Sequence, residues 1–390
     1  MHIINRIAAF HDDMTAWRRD IHAHPETAFE ERRTAALIAD KLRGWGLDVH
    51  EGLAKTGVVG TLRCGSGTRA IGLRADMDAL PMEEHNVFEH RSTVAGKFHG
   101  CGHDGHTAML LGAARHLAEA RNFDGTVHFI FQPAEENVAG AGVMVRDGLF
   151  EKFPMAAVYG MHNRPNLNAG EFAMRPGPAL ACADNFGIII RGRGTHAAWP
   201  HLGIDIVVVA SQIVMALQTI VSRQTPPLEA AVVSVTSIHG GSSDNVIPDE
   251  LRMRGTARTF SPAIQDKVEA SLREIARATA AMHGATAEVE YERRYPSLHN
   301  DPDRIALCAE VARAIVGDEH VNVDHEPGMG SDDFSFFSNR VPGGYVWIGS
   351  GPAEAGRFLH NPRYDFNDAI LPLGASYWAR LVEAELPRKG

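Results

Sequence analysis

The 390-residue chain predicts an α/β protein in two parts: a larger domain with a mostly parallel central sheet flanked by helices, and a ferredoxin-like α+β domain inserted into it. Three observations carry this reading. Strands and helices alternate up to about residue 183 and again after 294. The order βαββαβ fills the stretch between, and Pro- and Gly-bearing segments, RPGPALA and YPSLHNDP, stand at the two joins. The boundaries that follow are 1–183 and 295–390 for the larger domain and 184–294 for the insertion.

The N-terminal stretch is helical, because Ile4, Ile7, Ala8, Met14, Trp17 and Ile21 keep a three-to-four spacing until Pro25 interrupts it. A second helix runs from about Ala28 to Gly44, with Ala36, Leu37, Ala39 and Leu42 as its apolar stripe. Short apolar runs follow, VVGTLRC and AIGLRAD, separated by a GSGT turn. HTAMLLGAARHLAEA is helical, and TVHFIFQP and AAVYGMH are strand-like. In the insertion, FGIIIRGRG, AAVVSVTSI, ELRMRGTARTF and ATAEVEYERRY read as strands. IDIVVVASQIVMALQTIVSR and IQDKVEASLREIARATAAM read as its helices. GGYVWIGSG is a buried strand, and a last helix lies near Ala375–Leu386.

Lys and Arg total 38 against 48 Asp and Glu; this balance, without basic blocks, argues against nucleic acid or an anionic membrane as the main partner. No segment approaches the ~20 uninterrupted apolar residues of a membrane span. MHIINRIAAFHDDM lacks the basic start and apolar run of a signal peptide. Cysteines at 64, 101, 182 and 308 form no disulfide framework, so a reducing, cytoplasmic location is expected. Histidine is abundant, with 21 residues, and it is both the commonest metal ligand and the neutral-pH acid/base, so its placement matters.

The densest chemistry is FHGCGHDGHTAM, which gathers His99, Cys101, His103, Asp104 and His106 between glycines. A lone Cys or His there would read as a packing or capping residue. The Gly-spaced cluster has no packing rationale, and Cys-x-His offers a thiolate and an imidazole to a divalent metal. Glu135 and Glu136 follow the strand-like FIFQ past Pro133. Adjacent carboxylates repel unless a cation or proton relieves them, so one can bind metal while the other acts as general base. His162 follows AAVYGM, Asp76 and Asp78 follow AIGLR, and His360 lies nine residues past GGYVWIGSG. Ligands in open α/β sheets bind at the carboxyl ends of strands, so the repetition describes one polynuclear metal site. The chain has no G-x-S-x-G, S-x-x-K, H-E-x-x-H, P-loop or strand-linked G-x-G-x-x-G motif, which removes support for the corresponding chemistries.

HGCGHDGHT, the Glu135–Glu136 pair, YGMHN and LHNPRYDFND resemble the metal-dependent amidohydrolases that include hippurate hydrolases, N-acyl-amino-acid amidohydrolases and indole-3-acetyl-amino-acid hydrolases. These are a branch of the two-metal aminoacylase/carboxypeptidase-G superfamily, and the resemblance runs from RRDIHAHPE to the last helix. It implies an α/β catalytic domain with an inserted lid. It also implies Cys101, His103, Glu136, His162 and His360 as metal ligands, with Cys101 bridging, and Glu135 as general base. Asp78 is implied as the carboxylate that orients a ligand histidine. The wider superfamily has His-x-Asp and a bridging Asp where this chain has Asp76-Met-Asp78 and Cys101. The softer ligand set leaves zinc, manganese, cobalt and nickel open, with zinc or manganese favoured.

In the insertion, GTHAAWPHLGID resembles the family's lid segment, which implies that His196 polarises the scissile carbonyl, in its own subunit or from a neighbour. GGSSDNVIPDE resembles a substrate-contacting loop, with Asn245 and the following-strand Arg258 as candidates for the substrate α-carboxylate. The implied reaction is hydrolysis of N-acyl or N-aroyl amino acids by water activated on two divalent metals, with lid closure drying the site. The implied assembly is a homodimer or dimer of dimers through the lid. A dipeptidase or an N-acetyl-diaminopimelate deacetylase is the alternative within the superfamily. A non-catalytic metal-dependent binding protein is the alternative outside it.

Overall fold

The computed structural model describes residues 1–352 and 358–388. The chain divides into two compact units, one formed by Met1–Ala179, His299–Glu326 and Asp332–Gly390, the other by Leu180–Leu298 and Pro327–Ser331. The sequence pattern places the joins a few residues away and does not show the return of 327–331 to the smaller unit. That return is made by backbone: the Ala181 N–H lies 3.0 Å from the carbonyls of both Gly328 and Gly330. Such a pairing leaves no mark in hydrophobic periodicity.

The larger unit is built on an eight-stranded sheet. Its centre is a parallel block in the order Gly125–Gln132, Ala70–Asp76, Ala157–Arg164, Gly343–Gly349. Antiparallel strands Asp48–Leu53 and Gly57–Cys64 extend one side; Phe172–Ala173 and Val321–Asn322 extend the other. The central strands are buried along most of their length, as parallel strands covered on both faces must be. Leu73, Phe129, Tyr159 and Val346 share one core with Met109, Leu110 and Leu117 of helix His103–Ala120 and Trp378 and Leu381 of helix Leu371–Glu385.

Two helix boundaries differ from the sequence reading for local reasons. The second helix starts at Arg32, not Ala28, because Phe29 takes a left-handed φ of 63°. The Glu26 carboxylate then accepts the N–H groups of Arg33 and Thr34 at 2.9 and 2.8 Å, satisfying donors the first turn leaves open. The last helix starts at Leu371, where Pro372 suits the first turn.

The smaller unit has four antiparallel strands in the order Ala231–His239, Glu250–Thr259, Ala183–Arg191, Thr286–Tyr295. With helices Ile206–Thr219 and Pro262–Met282 on one face, this is the split βαβ arrangement. Asp205 caps the first helix by accepting from Val207 and Val208 at 3.0 and 3.3 Å. Among the described residues one helix, Ile206–Gln224, is long and apolar enough by length and composition to cross a membrane, with mean hydropathy 1.7. Ser211, Gln212 and Gln218 interrupt its apolar run. Its Ile206, Val209, Ala210, Ile213 and Leu217 pack against the sheet with Ile188, Ile190, Leu251 and Met253.

Candidate metal centre and active site

All five expected ligands lie in the larger unit at the carboxyl end of the parallel block, where strand ends and the loops after them converge. The Gly100–Gly102 approach brings Cys101 in before the helix that starts at His103. Gly102 is left-handed at φ 92°, and a Cβ there would run into Asn163 Oδ1, so only glycine fits. His103 is fully buried; its Nδ1–H donates to Asp78 Oδ1 at 3.2 Å. Its Nε2 is left without a hydrogen-bond partner, 3.8 Å from Asp76 Oδ2 and 3.9 Å from Glu136 Oε1.

The Glu135–Glu136 pair sits on a four-residue turn, Glu135–Val138, bracketed by two left-handed alanines: Ala134 at φ 58° and Ala139 at φ 55°. Each non-glycine residue so held costs about 1–2 kcal/mol. Asp78 Oδ2 accepts the Glu136 N–H at 3.1 Å, so one carboxylate fixes both His103 and the glutamate turn. Glu136 Oε1 is buried and makes no hydrogen bond, although His360 Nε2 lies 3.2 Å away. His162 donates Nδ1–H to the Asn163 carbonyl at 2.8 Å and turns Nε2 to within 3.4 Å of Cys101 Sγ. His360, left-handed at φ 60°, is tied by its N–H to the Gly100 carbonyl at 2.8 Å. Buried Arg18 anchors the loop that follows, reaching Asp365 at 3.0 Å and Asp368 at 2.7 Å.

Ligand atoms of Cys101, Glu136 and His360 lie within 4.8 Å of one another, as do those of His103, Glu135 and Glu136 and those of Asp76, His103, His106 and His162. Overlapping members join these groups into one cluster. Two buried ligand atoms without partners, His103 Nε2 and Glu136 Oε1, are what a cation would satisfy. A thiol, three imidazoles and a carboxylate suit divalent metals, and the cluster fits two such ions.

The electrostatics have the same sense. Burial, together with Glu136, Glu135 and Asp76, pushes the Cys101 thiol well above its usual range. Burial opposes protonation of His103, but Asp76 and Asp78 outweigh it and raise the ring to about 10. Burial and then Asp332, Glu136, Asp333 and Asp78 hold the Glu135 carboxyl well above the ordinary carboxylate range. Without a cation the cluster holds protons, and a cation competes for the same lone pairs.

The sequence reading missed a buried polar network beneath this site. The Arg74 guanidinium donates to Gln132 Oε1 at 2.8 Å and Asp76 Oδ2 at 2.7 Å, and pairs with Asp332 and Asp333 at 3.1 and 3.2 Å. Tyr345 donates to Asp332 at 2.8 Å, and carboxylate atoms of Glu135, Asp332 and Asp333 lie within 4.8 Å. The signals were an arginine inside the apolar AIGLRAD strand and the adjacent aspartates of SDDF. His106, singled out with the cluster, has both ring nitrogens engaged, Nδ1 by Asp76 at 2.6 Å and Nε2 by Asn163.

Three predicted site residues lie in the smaller unit. His196 is exposed; its Nδ1 accepts the Ala198 N–H at 3.1 Å, which puts the ring proton of the neutral form on Nε2. Asn245 is its neighbour across a short ribbon, accepting the Ala197 N–H on its carbonyl at 2.9 Å. Arg258 is half-buried, and its Nη1 is buried without a hydrogen-bond partner.

A cluster of this composition at the carboxyl ends of an α/β sheet, with a carboxylate beside it, defines a metal-dependent hydrolase. The chain belongs to peptidase family M20/M25/M40, which it matches over residues 72–384. It is 37% identical over 382 residues to a hippurate hydrolase of Campylobacter jejuni, covering 98% of this chain and 99% of the relative. It is 38% identical to an N-acetylcysteine deacetylase of Bacillus subtilis, covering 96% and 97%. Among solved structures, a dinuclear metal-binding peptidase of the M20 family from Bacillus subtilis superposes with a TM-score of 0.85 at 35% identity, covering 97% of this chain and 99% of that one.

Proposed function

We propose that the protein hydrolyses the amide bond of N-acyl and N-aroyl L-amino acids, releasing a carboxylic acid and a free amino acid. The observation that carries this reading is the buried Glu135 carboxylate whose ligand atom lies within 4.8 Å of those of His103 and Glu136. The relatives named hippurate hydrolase and N-acetylcysteine deacetylase support the substrate class.

Cys101, His103, Glu136, His162 and His360 would hold two divalent ions, with zinc or manganese favoured and cobalt or nickel also compatible with the donor set. Such ions supply Lewis acidity to the carbonyl and lower the pKa of water at neutral pH. Glu135 takes a proton from the attacking water and delivers it to the leaving amine. Asp78 keeps the His103 proton on Nδ1, so that Nε2 presents its lone pair. His196 offers Nε2–H to the carbonyl oxygen as negative charge develops there. The half-buried Arg258, whose Nη1 has no hydrogen-bond partner, receives the α-carboxylate together with Asn245. We propose a cytoplasmic location, where a free thiol ligand and the other free cysteines are kept reduced.

A hydrolysis panel tests the reading. Hippurate and N-acetyl amino acids should be cleaved and free dipeptides left intact; cleavage of dipeptides or N-acetyl-diaminopimelate alone would replace it. Cys101→Ser should lower bound metal, because a hydroxyl is a poorer and harder ligand than a thiolate. Unchanged metal content by mass spectrometry removes Cys101 from the ligand set. We further propose a homodimer through the smaller domain in which His196 serves the neighbouring subunit. Mixing His196→Ala with Glu135→Gln protein should then restore about a quarter of wild-type activity, since random exchange yields half mixed dimers with one intact site each. No recovery after demonstrated subunit exchange places His196 in its own subunit's site.

A further inference from the structure

Glu31 lies outside every segment that carries the metal cluster, just before the helix Arg32–Gly44, and it is completely buried. A buried carboxylate is costly unless its lone pairs are used. Glu31 uses them in two directions: Oε2 accepts the Thr56 hydroxyl at 2.6 Å, and Oε1 accepts the Ala134 backbone N–H at 3.0 Å.

Ala134 is the hinge between the strand Gly125–Gln132 and the turn that bears Glu135 and Glu136. Its left-handed conformation, at φ 58° and ψ 40°, is disfavoured for a residue with a Cβ and no polar side chain to compensate. The conformation therefore has to be imposed by the surroundings. Gly140 N–H returns to the Ala134 carbonyl at 2.9 Å, Asp78 takes the Glu136 N–H, and Asp333 takes the Ala141 N–H at 2.8 Å. Asp78 and Asp333 already belong to the cluster and its network. Glu31 comes from the N-terminal part of the chain and holds the residue that leads into the turn.

We propose that Glu31 is a positioning residue: by holding the Ala134 N–H it sets the direction in which Glu135 and Glu136 leave the strand. The inference rests on the reading of Glu135 as general base and Glu136 as ligand for its effect on rate, but not for its effect on the turn itself. Burial raises the Glu31 carboxyl to about 7, against the opposing bond from Thr56, so its acceptors are held at a cost in charge desolvation.

Glu31→Gln keeps the reach and an acceptor oxygen for Ala134 while its amide can donate to Thr56. Glu31→Asp keeps the charge but is one methylene short. Glu31→Gln should retain kcat within about fivefold and Glu31→Asp should lose roughly 30-fold or more, with KM within about threefold in both. Hydrogen exchange of the peptide spanning 133–139 should stay protected in Glu31→Gln and accelerate in Glu31→Asp, with unchanged exchange in the central strands. Retained kcat and protection in Glu31→Asp overturns the proposal, and so does a Glu31→Gln protein that loses as much as Glu31→Asp. If Glu31→Asp fails to fold, Glu31→Gln decides alone: loss of protection at 133–139 overturns, and retention with near-normal kcat supports. If no N-acyl amino acid is hydrolysed even by the wild type, the substrate reading fails and the exchange measurement still decides the role of Glu31.

Discussion

Glu135→Gln should lower kcat by roughly 10²–10⁴-fold, the usual worth of a positioned general base, while metal stoichiometry and KM stay near wild type. The amide keeps the shape and can still hydrogen-bond to water, but it cannot take a proton. Glu135 is buried and shares its surroundings with Glu136, Asp332, Asp333 and Asp78, and burial with these carboxylates raises its proton affinity. Bound cations would relieve the carboxylate repulsion and leave Glu135 free to take a proton from water. Steady-state kinetics with metal analysis by mass spectrometry on the same protein checks both halves. A Gln variant at wild-type rate would move the base elsewhere, and the neighbouring Asp332 and Asp333 would be the next groups to test.

Removal of metal should have an equally large effect on activity and a clear one on stability. Asp76, Asp78, Glu135, Glu136, Asp332 and Asp333 crowd one end of the sheet, with Arg74 pairing three of them. Ions that bind only the folded chain stabilise it by mass action, by about 4 kcal/mol at a thousandfold excess over Kd. For a protein of this size, chelation should lower Tm by roughly 5–10 °C and remove measurable hydrolysis. Both should return on adding divalent metal, as scanning calorimetry and hippurate turnover would record. A chain whose Tm and activity ignore chelator has no functional metal here.

The parts of this picture that were legible in the sequence are those with a local signature. Period-two and three-to-four spacing mark the strands and helices of both units, and the order βαββαβ marks the smaller one because its elements are consecutive. The candidate ligands were visible because glycine-spaced Cys and His, and carboxylates or imidazoles just past apolar runs, have no packing purpose. What the sequence hid was long-range pairing. Arg74 reaches Asp332 across 258 positions, and Glu31 reaches Ala134 across 103, and neither partner announces the other. The left-handed state of Ala134 was hidden for a further reason: alanine gives no hint of it, unlike the glycine at 102. The excess of histidines was a weaker guide than their neighbours. His22, for example, is buried between Asp104 at 2.8 Å and Glu84 at 3.3 Å, and it belongs to the anchoring network around Arg18.

A metal titration of chelated protein followed by hippurate hydrolysis tests the two-metal site most directly. Activity should rise with added divalent metal and level off at two equivalents per chain, with Glu135→Gln taking up the same two equivalents and staying inactive. Full hydrolysis without added metal, or saturation of binding with no hydrolysis of any N-acyl amino acid, would contradict it.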